Sequence, residues 1–137
     1  MNEEFPAQPP AAPIPPPPTA SSGLSDTAAA ALSYVTIIPA IIFLVLEPYN
    51  RKPFIRFHSI QCLALAAVSI VLHIGVFIIG SVLHVIPIMG AIMGAMLHLI
   101  VTLVIFIAWL MCIIKASQGQ WFKLPVIGDF ALKQAQS

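Results

Sequence analysis

No Asp, Glu, Lys or Arg occurs between Arg56 and Lys115, so residues 57–114 form a 58-residue run without a formal charge. A membrane-spanning helix needs about 20 apolar residues. The run is therefore too long for one crossing and short for three. Two helices joined by a tight turn fit, and Pro87 with Gly90 in HVIPIMG supplies the turn chemistry. This places one span at about 57–83 and another at about 91–114.

A first span is expected ahead of them. Ser25 and Asp26 offer a helix N-cap, and Ala28 to Leu46 carries no charge before Glu47-Pro48. Nineteen residues at helix rise give roughly 28 Å, close to the hydrocarbon thickness. Pro39 lies inside this stretch and should kink the helix, which membranes tolerate where neighbours satisfy the freed carbonyl. The expected fold is thus all-α and integral to the membrane, with three spans and a tight hairpin between the second and third. Composition agrees, because 59% of the 137 residues are hydrophobic and only 8% are charged. Soluble domains carry roughly 25% charged residues.

The ends read differently. Residues 1–24 form a Pro-rich tail, with eight prolines before residue 19, and that run cannot be helical. It reads as a disordered spacer of polyproline-II character. The segment after Lys115 alternates Trp121, Phe122 and Val126-Ile127 with Lys123, Asp129 and Lys133, broken by Pro and Gly. It suits a chain lying at headgroup level over 116–133, anchored by Trp121, with a short tail at 134–137.

Three spans put all six basic residues on one side: Arg51, Lys52, Arg56, Lys115, Lys123 and Lys133. That side should be cytoplasmic by the positive-inside rule, at the inner membrane, with the N-terminus outside. A net charge of +1 gives no field for nucleic acid. Cys62 and Cys112 are too few for a disulfide scaffold and form no C-x-x-C pair.

Two motifs carry a family resemblance. Arg56-Phe57-His58 followed by Gln61 makes R-F-H-x-x-Q, and Lys123-x-Pro125-x-Ile127-Gly128-Asp129 closes the chain. Over roughly residues 28–133 the sequence resembles small, mostly bacterial membrane proteins grouped with the Tic-twenty component of the chloroplast inner-envelope import translocon. The resemblance implies a membrane fold and location, and raises a subunit of a translocation or channel assembly as one role.

The histidines invite a metal reading, since imidazole suits Zn or Cu. His73 and His84 share a helix face but lie about 16 Å apart along it, so they cannot hold one ion. No carboxylate lies in the run, and no metal or cofactor is expected. The bland alternative is a packing stripe: Ser69, His73 and Gly80 on the second span against Gly90, Gly94 and His98 on the third, with Gly90-x-x-x-Gly94 bringing backbones close. A proton pathway through the same histidines is the sharper one. Catalysis would need a base beside a nucleophile or paired acids, and the spans carry neither. The chain therefore reads as a non-enzymatic structural or assembly component, with lipid as its main partner. Self-association through the small-residue faces or a second membrane protein would add to it. Arg56 and Asp129 are expected to pair, docking the C-terminal segment on the start of the second span.

Overall fold

The computed structural model describes residues 23–137. Of the Pro-rich tail expected as a disordered spacer over 1–24, residues 1–22 lie outside them. Among the described residues all regular structure is helical: α1 (Asp26–Leu32), α2 (Ile37–Val45), a 3₁₀ turn (Tyr49–Arg51), α3 (Pro53–Leu83), α4 (Met89–Ser117) and α5 (Ile127–Gln136).

Among the described residues, two helices are long and apolar enough to cross a bilayer, α3 with 31 residues and α4 with 29. They form the expected hairpin, with the turn between Leu83 and Met89. Their large side chains face outward: Phe77 is 74% exposed and Val104 61%. A soluble core helix would bury such residues, so this surface needs lipid around it.

The expected first span is not one helix. Leu32 ends α1, Thr36 is extended at φ −150° and ψ 170°, and Ile37 begins α2. Pro39 does not kink a continuous helix; it sits in the first turn of a new one. There its missing N–H is one that would have no intrahelical partner anyway. By helix rise α1 and α2 are about 10 and 14 Å long, and neither can span.

The segment also turns back. Asp26 Oδ1 pairs with Lys52 Nζ at 2.5 Å, and the Leu24 amide donates to Tyr49 Oη at 3.2 Å. Ala29 of α1, Phe43 of α2 and Ile55 of α3 share one small core, with Tyr49 against it. Residues 24–26 and 49–52 therefore lie together at the end where α3 begins. At its deepest, Tyr34 reaches Trp109, whose indole N–H donates to the Tyr34 carbonyl at 2.7 Å. Residues 26–45 enter beside α3 and α4 and return on the same side. Non-helical backbone survives at that depth only where protein or a cavity lines it, and Ser33 and Tyr34 are buried.

The C-terminal segment differs too. Pro125 and Val126 make a tight turn into α5, which takes in Ile127–Asp129 of the motif and runs on to Gln136, through most of the expected 134–137 tail. Ala131 and Ala135 pack on Phe57 of α3, with Ile60 and Leu132 at the edge. Trp121 lies over Phe54 and Phe57, ring centroids 5.3 and 5.2 Å away, and remains half exposed.

Candidate functional site: a polar knot at the basic end

The first two turns of α3 hold the rest of the molecule together. Arg56 to Gln61 present side chains around nearly the whole helix circumference, since neighbours are 100° apart. The residues of R-F-H-x-x-Q consequently divide between α5 on one side and the α1–α2 break, α4 and the 118–126 connection on the other. Arg56 donates to the Ser137 carbonyl at 3.2 Å and the Gln134 carbonyl at 3.1 Å, at the C-terminus of α5. Phe57 fills the alanine face of the same helix. His58 reaches Tyr34 Oη through Nδ1 and the Gln120 carbonyl through Nε2, both at 3.2 Å. Gln61 Nε2 donates to Tyr34 Oη at 3.2 Å, Cys112 Sγ at 3.3 Å and the Phe122 carbonyl at 3.1 Å.

Protonation states follow from these partners. A carbonyl can only accept, so His58 Nε2 carries its proton and donates to Gln120. Neutral His58 then has a bare Nδ1, which accepts the Tyr34 hydroxyl proton, while Tyr34 Oη accepts from Gln61. Ser33 Oγ donates to the Ala29 carbonyl at 3.0 Å and lies 3.0 Å from Ser59 Oγ, adding a second tie between α1 and α3. His58, Ser59 and Gln61 are completely buried, which is tolerable only because they are hydrogen-bonded. Among the described residues, two buried side-chain oxygens lack a partner, Gln61 Oε1 here and Asn50 Oδ1 in the 3₁₀ turn.

The expected Arg56–Asp129 pair does not form. Asp129 takes Lys123 Nζ at 3.1 Å instead. Arg56 does dock the C-terminal segment, but through backbone carbonyls: a cation at the end of α5 meets orphan C=O groups and the negative end of the helix dipole. Asp129 sits in the first turn of α5, the favourable end for an acid. Gly128 is required by space, because an added Cβ would come within 2.5–2.6 Å of Lys123 Cβ and Cα. Pro125 lends its carbonyl to the Ile127 amide at 2.7 Å.

The packing residues meet along the α3–α4 seam. A Cβ on Gly94 would stand 3.4 Å from Gly80 Cα, so these two glycines face each other. Gly90 instead lies under the turn, against the Leu83 carbonyl. His73 and His98 rings are 5.0 Å apart edge to face. His73 Nδ1 donates to the Ser69 carbonyl at 2.7 Å, and Nε2 lies 3.2 Å from Thr102 Oγ1. Sequence reasoning missed Ser33, Tyr34, Ser59 and Trp109. A signal existed for Trp109, whose indole N–H needs an acceptor when buried.

The profile of the magnetosome magnetite crystal formation protein family matches residues 24–131, from the start of α1 into α5. A UPF0132 membrane protein of Methanocaldococcus jannaschii is 38% identical over 117 residues, covering 85% of this chain and 94% of the relative. A UPF0132 membrane protein of Archaeoglobus fulgidus is 38% identical over 112 residues, covering 81% and 96%. No solved structure matches. These findings overturn the resemblance to the Tic-twenty family: the matching family is another one, and the relatives are archaeal where bacterial ones were expected. R-F-H-x-x-Q and K-x-P-x-I-G-D are thus local docking chemistry within a different group. The chain belongs to the magnetosome magnetite crystal formation protein family and, like its archaeal relatives, is a membrane protein.

Proposed function

We propose that this chain is a non-enzymatic membrane scaffold, a structural component around which a larger assembly is built. The observation that carries this reading is the division of labour in R-F-H-x-x-Q. One short stretch of α3 fastens the returning α1–α2 pair, α4 through Cys112, the 118–126 connection and α5. The polar atoms are spent on holding elements in place. The family description names a mineral, yet among the described residues no three His, Cys, Asp or Glu side chains group as a metal site.

The orientation proposed follows from the returning segment. All six basic residues belong to the end where α3 starts and α4 stops, and Asp26 joins them there. The positive-inside rule puts this end in the cytoplasm at the inner membrane. The start of α1 goes with it, so both chain ends are proposed cytoplasmic, in place of the N-out arrangement that three crossings require.

Crosslinking in intact membranes tests the scaffold reading. A discrete assembly well above the 14.7 kDa of one chain is expected, either of several copies or with a second membrane protein. It should disperse in a Gln61→Ala variant that still inserts. A single chain at every crosslinker concentration would overturn the reading.

A further inference from the structure

The charge-free run contains four histidines, His58, His73, His84 and His98. Imidazoles inside a bilayer are costly, and where they persist they mark ion or proton routes. The fold lines these four up. At the turn end, His84 and His98 border one cavity of about 200 Å³, beside the Gly80–Gly94 contact. His98 and His73 then share the next crevice, with ring centroids 5.0 Å apart. His73, Ser69 and Thr102 form one wall of a cavity of about 350 Å³ at the break between α1 and α2, and Tyr34 forms another. Tyr34 Oη meets His58 Nδ1 at 3.2 Å, and His58 Nε2 donates to the Gln120 carbonyl at the basic end. Both cavities have room for water, and though most of their lining is apolar, each offers polar partners on the seam side: Ser69, His73 and Thr102 in the larger, Ser81, His84 and His98 in the smaller.

We propose that this file of imidazole, hydroxyl and cavity water carries protons along the α3–α4 seam from one membrane face to the other. His98 has no hydrogen-bond partner among the described residues, so its ring nitrogens are open to water in the crevices. His73 exchanges at Nε2, beside the Thr102 hydroxyl, because its Nδ1–H is held on the Ser69 carbonyl. At the basic end, Tyr34 gives its hydroxyl proton to His58 Nδ1 and takes one from cavity water. His58 passes the Nε2 proton to a water that takes the place of the Gln120 carbonyl at the basic face, and a turn of its ring restores the starting tautomer. One proton enters and one leaves per passage. Only N–H and O–H bonds form and break, and no electron is transferred.

The proposal goes beyond the scaffold reading and stands or falls separately, since proton flux says nothing about assembly. Its test uses the purified full chain in lipid vesicles holding a pH-sensitive dye, with a potassium gradient and valinomycin setting the driving potential. Internal pH should change faster than in protein-free vesicles. His98→Asn and His73→Asn keep a polar side chain but cannot relay, and each should bring the rate down to the protein-free one. Thr102→Val, close in shape, should slow it. Wild-type flux equal to that of protein-free vesicles overturns the proposal whatever the variants do. Flux that persists in the His73→Asn, His98→Asn double variant overturns it as well.

Discussion

Gly90 and Gly94 sit four residues apart in one G-x-x-x-G, yet alanine should affect them very differently. At Gly94 the added methyl would rest 3.4 Å from Gly80 Cα, an ordinary contact. Removing a glycine from a helix interior stabilises by roughly 0.5–1 kcal/mol, so Gly94→Ala should be neutral or slightly stabilising. At Gly90 the methyl would overlap the Leu83 carbonyl and stand 3.1 Å from the His84 nitrogen. Those are backbone atoms of the turn, which cannot swing aside as a side chain would. Overpacking of this kind costs about 1–3 kcal/mol, offset by the same small helix gain. The two variants should therefore differ by about 2 kcal/mol. At this chain length that is roughly 6–8 °C in melting temperature, taking about 3–4 °C per kcal/mol. Thermal unfolding of both in one detergent reads the difference directly. Gly94→Leu, which would push Gly80 away, should fall with Gly90→Ala. Equal melting of the two alanine variants would refute the assignment of Gly90 to the turn and Gly94 to the seam.

Arg56→Ala and Asp129→Ala should act additively in a double-mutant cycle scored by proteolysis of α5, because their partners differ; a coupling near 1 kcal/mol would restore the direct pair. Asp129→Ala and Lys123→Ala should couple instead, weakly, as an exposed pair worth roughly 0–1 kcal/mol. Alkaline phosphatase fused ahead of Met1, after Lys52 or after Ser137 should be inactive and a fusion near residue 88 active; activity at the N-terminus would reinstate three crossings. Cys62 and Cys112 are free and buried, so maleimide should label them only slowly until the fold is melted, and fast labelling in native membranes would contradict their placement.

The α3–α4 hairpin was legible because its cause is local. A charge-free run of fixed length in lipid has one economical solution, and the turn residues mark where it bends. The Ser25 cap was readable for the same reason: its hydroxyl accepts from the Ala28 amide at 3.2 Å, three residues away. Pro39 shows the limit. Its effect on a helix depends on whether the helix already ended before it, and that depends on Ser33, Tyr34 and the carbonyl that Trp109 satisfies 75 residues later.

Hydropathy and charge along the chain specify a membrane protein with two long apolar helices and all its basic residues gathered at one end. Hydropathy and charge act residue by residue, so no partner need be known to read them. Long-range packing settles the rest. It turned nineteen uncharged residues back instead of across, because Asp26 and Lys52 meet and Tyr34 finds His58 and Gln61. It sent Arg56 to helix carbonyls instead of to Asp129, because α5 forms and presents its C-terminus there. Hydrogen bonds between residues far apart in the chain leave no period or spacing to read, and only packing in three dimensions chooses among the partners a side chain could take.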